Sequence, residues 1–258
     1  MIRHLPLEGV ENFRDFGGYA TASGRRLRAG RLFRSASHGR ATDADLEAIA
    51  ALEIAVVIDL RRREERERDP SRRHGAFAGE VIVSDIGEEE VDSWVAHMTA
   101  PDLSEASVHA YLLGYYAQAP LNPRIAHLYR RYFERLSRAG GPMLIHCAAG
   151  KDRTGILVAL THHLAGVHPD DMMADYLATN DPERIARRLP MVAESIRELS
   201  GREPPEAAVR VAMGVAPDYL HAAWAAMAGR HGDVDGYLER ELGIDKARRA
   251  ALEERLLE

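Results

Sequence analysis

The sequence predicts an α/β chain: a central, mostly parallel sheet flanked by helices, with a helical layer formed by its C-terminal third. Three observations carry that expectation. The run IAVVIDL (54–60) is continuous and largely β-branched, the pattern of a strand buried on both faces of a parallel sheet. Strand-like runs alternate with helical patterns up to residue 166, as a sheet with covering helices requires. Beyond 166 the pattern is helical almost without interruption.

Taken in order, VENFRDFGGYA (10–20) mixes apolar and polar residues and ends in Gly17-Gly18, which suits an irregular strand and turn. RLFRS (31–35) reads as a short strand. TDADLEAIAAL (42–52) opens with an N-cap signal at Thr42 or Asp43 and repeats Leu46, Ile49 and Ala50 at helical spacing. EVIVSDI (80–86) resembles the 54–60 strand but is weaker. Residues 88–118 interrupt the alternation with EEEVDSWVAHM and SEASVHAYLLGYYA, two short helices on either side of Pro101. An insertion of this size is either a lid over a site or a helical cover for a sheet edge. NPRIAHLYRRYFERLSR (122–138) is the clearest helix, with Gly140-Gly141 as its stop signal. PMLIH (142–146) is a third strand, and TGILVALTHHLAG (154–166) is an apolar helix beginning at Thr154. Helices are expected over 169–178, 182–199, 204–212, 217–229, 233–242 and 245–257, punctuated by Pro182, Pro190, Pro204, Pro205 and Pro217. With no repeat or low-complexity tract, residues 1–258 read as a single domain, of which 167–258 is the helical C-terminal part.

Composition narrows the function classes. Hydrophobic residues are 46% and charged residues 29%, an ordinary globular balance. No run of eighteen apolar residues exists, so stable membrane insertion is not expected. The N-terminal stretch MIRHLPLEGVENF lacks the apolar core of a secretory signal. The chain has 1 cysteine, so no intrachain disulfide can form. These points suit a cytoplasmic protein, with a signal-less export route left open. A net charge of −6 argues against nucleic acid as a partner. An anionic substrate would need a local basic site instead, and arginines at 25, 26, 28, 31, 34 and 61–63 could build one.

The stretch HCAAGKDRTG (146–155) carries the chemistry. The 142–146 strand delivers Cys147 to the carboxyl edge of the sheet, where open α/β sheets bind ligands. The backbone N–H groups of Ala148, Ala149, Gly150, Lys151, Asp152 and Arg153 and the first turn of the next helix would converge as a nest for a tetrahedral oxyanion. Arg153 adds a planar fork that suits phosphate oxygens. The same positive field favours the thiolate of Cys147, a nucleophile that can attack phosphorus and form a phosphocysteine. Loop N–H groups and Arg153 would stabilise the equatorial oxygens, and Thr154 would hydrogen-bond the sulfur as it leaves. This mechanism requires no metal or other cofactor.

The stretch resembles the signature loop of the protein tyrosine phosphatase superfamily, HCx5R(S/T), and matches it at His146, Cys147, Gly150, Arg153 and Thr154. NFRDFGGY (12–19), GRLFRSAS (30–37) and VIDLRRREE (57–65) resemble the N-terminal signatures of one branch. ADYLATND (174–181) and GYLERELGI (236–244) are similar to its C-terminal part. That branch comprises bacterial tyrosine phosphatases that also act on phosphoserine, phosphothreonine and phosphoinositides, among them a secreted mycobacterial enzyme. The resemblance covers most of the chain and is weakest across 88–118, where the branch carries a helical lid of variable length. It implies the cysteine-phosphatase fold and, as partners, phosphorylated proteins or phosphoinositides. It also makes Lys151 a second cation near the phosphate, of the kind seen in phosphoinositide phosphatases; alternatively Lys151 points outward.

The general acid is the open position. Asp152, inside the loop, ranks first, and the matching aspartate of the branch is implicated in catalysis. Asp59 at the end of IAVVIDL ranks second, with the alternative of orienting an arginine. Asp85 at the end of EVIVSDI ranks third, with the alternative of capping a turn. Asn12, Arg14 and Asp15 match a branch motif near the loop and serve either substrate contact or a turn-stabilising polar network. RRREERERD (61–69) reads as a solvated short helix with Arg61 or Arg62 able to face the pocket. His162-His163 suits helix packing better than metal ligation. Three rival classes are weaker. A nucleotide P-loop fails because Ile145 stands at its first glycine and Asp152 at its Ser/Thr. A sulfurtransferase loop does not require Arg153 and Thr154, and a phosphate-binding module without catalysis does not require Cys147.

Overall fold

Short β-branched and apolar runs build one sheet in the computed structural model, which describes residues 3–87, 93–138 and 140–258. Its strands are β1 (Arg3–His4), β2 (Arg14–Asp15), β3 (Leu32–Ser35), β4 (Val56–Asp59), β5 (Glu80–Ile82) and β6 (Met143–His146), in the spatial order β1-β2-β3-β6-β4-β5. β3, β6, β4 and β5 are mutually parallel, β2 pairs antiparallel with β3, and β1 pairs antiparallel with β2. The central β6 receives β3 on one side and β4 on the other, so all three chains leave the sheet at one carboxyl edge.

The pleat sorts side chains to two faces. Leu32, Val56, Ile58, Met143 and Ile145 enter the main hydrophobic core. Phe33, Val57 and Leu144 enter a smaller one with Val10, Phe13, Leu46 and Ile54. β5 is the sheet edge: Glu80 and Val81 are exposed, which is why its signal was weak and why residues 84–86 do not continue it.

The helices are α1 (Asp43–Ala50), α2 (Arg63–Arg68), α3 (Ser93–Met98), α4 (Glu105–Gln118), α5 (Pro123–Leu136), α6 (Asp152–Ala165), α7 (Pro169–Leu177), α8 (Pro182–Ser200), α9 (Glu206–Met213), α10 (Pro217–His231), α11 (Val234–Arg240) and α12 (Lys246–Leu256). Thr42 caps α1 through a reciprocal pair with Asp45, as the sequence anticipates. α6 is the core helix; its residues from Thr154 to His162 are all buried, as a helix without a polar face demands. It ends at Gly166 in the left-handed region (φ 73).

α6 starts at Asp152 rather than Thr154, so Arg153 belongs to its first turn. α5 ends at Leu136 with Ser137 as its C-cap, short of the expected 138. Pro190 lies inside α8, within the helix expected over 182–199. The expected insertion is present as α3 and α4, while its first residues, 88–92, lie outside the described ones. No described helix is long and apolar enough to cross a membrane.

The C-terminal helices share the main core with the sheet: Tyr219, Met227, Leu238, Leu252 and Leu256 belong to the same cluster as Ile58 and Ile145. The chain end is tied in as well. Arg26 and Glu258 exchange backbone hydrogen bonds at 2.9 Å each.

Candidate active site

Register alone gathers the first site residues. Ser35, His146 and Asp59 occupy one row across β3, β6 and β4 at the carboxyl edge. Cys147 follows immediately, only 2% exposed. The chain then turns through residues 148–151 into α6. Gly150 makes the turn possible. Its φ is +63, and a Cβ there would lie 2.4 Å from the Ser35 carbonyl carbon. Both facts restrict the position to glycine.

The loop carbonyls are pulled outward. The Ser37 N–H donates to Ala148 O at 2.9 Å. Asn12 Nδ2 and Arg34 Nη2 each donate to Gly150 O at 2.8 Å. With the carbonyls held from outside, the peptide N–H groups face the other way, toward the space beside Cys147. The N–H groups of Ala148, Ala149, Gly150 and Lys151 donate to no group among the described residues. That is the geometry of an anion nest, reinforced by the N-terminus of α6.

The outer supports form a buried ionic network. Arg14 and Arg34, both fully buried, share Asp175 of α7: Arg14 Nε to Oδ1 at 3.1 Å and Arg34 Nη1 to Oδ2 at 2.8 Å. Burial would push the Asp175 carboxyl up, but the two guanidinium groups outweigh it and hold the carboxyl well below the usual range. Arg14 also donates to Asn12 Oδ1, and Asn12 itself sits at φ 57 in the left-handed region, which asparagine tolerates better than most residues. Asn12 and Arg14 thus act as a turn-stabilising network that holds the loop. Asp15 points elsewhere: its carboxylate accepts from the N–H groups of Gly17 (2.8 Å) and Gly30 (2.5 Å).

Arg153 is held by a residue the sequence did not single out. Its Nη1 and Nη2 meet Glu65 Oε2 and Oε1 at 2.6 and 2.7 Å, a bidentate pair. Burial raises the Glu65 carboxyl, the Arg153 charge lowers it more, and it settles at about 2. The helix 63–68 is therefore not a wholly solvated charge run; Glu65 is buried on its inner face.

The acid candidates separate. Asp59 is 2% exposed and binds Arg61 through both oxygens, Oδ1 to Nε at 2.9 Å and Oδ2 to Nη2 at 2.8 Å. Burial pushes its carboxyl up, but His146 and Arg61 together hold it well below the usual carboxylate range, so it has no proton to give at neutral pH. Asp59 thus orients Arg61, the alternative role its place at the strand end allowed. Asp85 pairs with Arg63 (3.1 Å) and Arg66 of α2, away from the loop. Asp152 remains, on the first turn of α6 and beside the nest. Tyr116 of α4 accepts a hydrogen bond from the Tyr176 hydroxyl at 2.8 Å, and the Asp152 charge acts on it.

Lys151 does not point outward, and its Nζ lies 3.5 Å from Asp152 Oδ1. It is buried, 4% exposed, and its Nζ donates to the Ala212 carbonyl at 2.6 Å, near the end of α9. Thr154 is fully buried, and its Oγ1 has no hydrogen-bond partner among the described residues. His146 lies 3.6 Å from Asp59 and stacks at 5.2 Å on His38; burial lowers its pKa. His162 Nε2 lies 2.8 Å from the Phe16 carbonyl, a packing role.

The helical insertion reaches the site. Tyr115 of α4 is pushed well above the ordinary phenol range by burial, and Arg153, Asp152, Cys147 and Glu65 all act on it electrostatically. α4 packs on α9 and α10, and Arg202 ties the α3–α4 turn down through the carbonyls of Ala100 and Pro101.

Sequence reasoning missed Glu65, Asp175, Tyr115 and Tyr116, and counted Arg34 only among several arginines able to build a basic site. One signal was available: Arg34 alternates with Leu32 on the core-facing side of β3, where a charge is unexpected.

Comparison with known proteins agrees with this geometry. A family model described as the tyrosine phosphatase family matches residues 5–258. A candidate tyrosine-protein phosphatase of Cupriavidus necator is 32% identical over 246 residues, covering 95% of this chain and 86% of the relative. The triple specificity protein phosphatase PtpB of Mycobacterium tuberculosis is 33% identical over 272 residues, covering 95% of each chain. A tyrosine-protein phosphatase of Nostoc commune is 37% identical over 147 residues, covering 55% of this chain and 46% of the relative.

Proposed function

Because the chain belongs to the tyrosine phosphatase family and is a phosphatase, we propose that it hydrolyses phosphate monoesters through a phosphocysteine on Cys147. The observation that carries this reading is the loop whose Ala148 and Gly150 carbonyls are held by Ser37, Asn12 and Arg34 while its N–H groups from Ala148 to Lys151 have no partner among the described residues. A phosphoryl group seated there has its equatorial oxygens on those N–H groups and on Arg153.

In the first step Cys147 Sγ forms a bond to phosphorus as the ester P–O bond breaks. Asp152 passes its proton to the leaving oxygen. In the second step Asp152 takes a proton from water, which attacks phosphorus; the S–P bond breaks and inorganic phosphate leaves. Thr154 Oγ1, buried and without another partner, is available to the departing sulfur. Lys151 Nζ lies 3.5 Å from Asp152 Oδ1.

We assign phosphotyrosine as the first substrate class, with phosphoserine, phosphothreonine and phosphoinositides as further ones. The name of the mycobacterial relative, a triple specificity phosphatase, supports breadth among phosphoproteins. The placement of Lys151 against Ala212 removes one argument for phosphoinositides, so that class rests on the family resemblance. The test is Cys147→Ser: turnover of an aryl phosphate should vanish while inorganic phosphate still binds. Full activity in that variant would refute the mechanism. Turnover compared across phosphotyrosine, phosphoserine and phosphothreonine peptides and phosphoinositides then ranks the substrates.

A further inference from the structure

The carbonyls of the phosphate loop are held from two directions. Gly150 O is held by Asn12 and Arg34, a path that leads back to Asp175. Ala148 O is held at 2.9 Å by the backbone N–H of Ser37. The Ala148 C=O and the Ala149 N–H belong to one planar trans peptide unit, so they point in opposite directions. Whatever fixes Ser37 therefore aims the Ala149 N–H into the nest.

Ser37 is fixed through its hydroxyl. That oxygen accepts from Arg61 Nη1 at 3.1 Å and from the Gly39 N–H at 3.2 Å, and it donates to Asp69 Oδ2. The 37–39 turn is pressed against the same carboxylate: a Cβ on Gly39 would lie 1.8 Å from Asp69 Oδ1. Arg61 is the centre of this arrangement. Its Nε and Nη2 bind the two oxygens of Asp59 at 2.9 and 2.8 Å. Nη1 also reaches the Asp69 carbonyl at 2.6 Å, and Nη2 the Ser71 hydroxyl at 2.7 Å. The five N–H groups of the guanidinium are thus matched by five acceptor atoms, a set that the three donors of a lysine cannot reproduce. Arg61 is only 1% exposed, so it cannot reach a substrate itself.

We propose that Arg61 is a positioning residue for the reaction: braced by Asp59, it holds the Ser37 hydroxyl, and Ser37 holds the Ala148–Ala149 peptide with its N–H aimed at the phosphoryl oxygens. This rests on the phosphatase reading above and adds to it a residue that touches no substrate atom. Donors fixed before the reaction serve the transition state more than the bound ester, so loss of the brace falls on kcat rather than on KM.

The test compares two serines on the same guanidinium. Ser37→Ala removes the hydroxyl that leads to the loop and keeps the backbone N–H; Ser71→Ala removes a hydroxyl that leads to no loop atom. In steady-state kinetics with an aryl phosphate, Ser37→Ala should lower kcat about tenfold with KM changed less than threefold. Ser71→Ala should leave both unchanged. Arg61→Lys should lower kcat further, and by a smaller factor when added to Ser37→Ala than when added to wild type. Thermal melting reports whether each variant is folded, and the serine pair decides alone if Arg61→Lys is not. Vanadate, which mimics five-coordinate phosphorus, should bind Ser37→Ala about tenfold more weakly than wild type in isothermal titration. Unchanged kcat in Ser37→Ala overturns the proposal, as do equal losses in the two serine variants or a raised KM at unchanged kcat. A wild-type chain without aryl phosphate turnover would instead refute the phosphatase reading. The vanadate titration still judges the brace in that case, and equal affinity in wild type and Ser37→Ala overturns it.

Discussion

Arg153 reaches the loop from the first turn of α6, and both its terminal nitrogens are occupied by Glu65. A guanidinium so held has few orientations to lose when it binds phosphate, which is the advantage of preorganisation. Replacing Glu65 by Gln should therefore lower kcat/KM for an aryl phosphate by about ten- to a hundredfold, measured by steady-state kinetics. The same pair makes a pH prediction. The folded carboxyl sits at about 2 against an ordinary 4.5, so its contribution is present above the ordinary value and is lost as pH falls toward 2. That difference corresponds to something on the order of 3 kcal/mol. Denaturant titrations between pH 5 and pH 2 should show this loss, and Glu65→Gln should flatten it. For the acid, the pH–rate profile should lose its basic limb in Asp152→Asn and keep it in Asp59→Asn, because only Asp152 is free of an arginine clamp.

At the level of elements, α7 and α4 matter more than their sequence suggests. α7 contributes Asp175, which neutralises two fully buried arginines from β2 and β3 and so fixes the carbonyl of Gly150 from behind. Asp175→Asn leaves those charges uncompensated, and removal of one partner from a buried pair costs about 3–5 kcal/mol. A thermal melt should reveal that loss together with reduced turnover. Tyr115 of α4 is close enough to the loop for the charges of Arg153, Asp152 and Cys147 to act on it, and we propose that the 88–118 segment is a lid. Tyr115→Ala should accelerate alkylation of Cys147 by iodoacetamide severalfold while leaving the melting temperature within a few degrees. An unchanged alkylation rate would assign α4 to simple coverage of the core.

Across the whole molecule the sheet and the C-terminal helices share one core cluster, from Val56 and Ile145 to Leu252 and Leu256. The chain end closes the structure by pairing with residues 26–28, where Arg28 N–H donates to Leu256 O at 2.7 Å. We therefore expect one cooperative unfolding transition in calorimetry, as for a single domain. Deleting residues 245–258 removes buried Leu252, Leu256 and Leu257 and should leave a chain that no longer melts cooperatively. Two resolved transitions would instead divide the helical part from the sheet.

Local pattern was enough for the α/β class, for nearly every helix, and for the nucleophile loop, because those depend on neighbours in sequence: a β-branched run, a 3.6-residue repeat, a cysteine and an arginine at fixed spacing around Gly150. Tertiary structure decided the rest. Asp175 lies 141 residues from Arg34, and Glu65 lies 88 from Arg153. The local Arg61 clamp on Asp59, two residues away, shows only in the folded side-chain geometry. A charge run reads as solvated until packing shows which member is buried, and a carboxylate's proton affinity depends on the cations that folding brings beside it. Such partners are set by long-range contact, which no local period records.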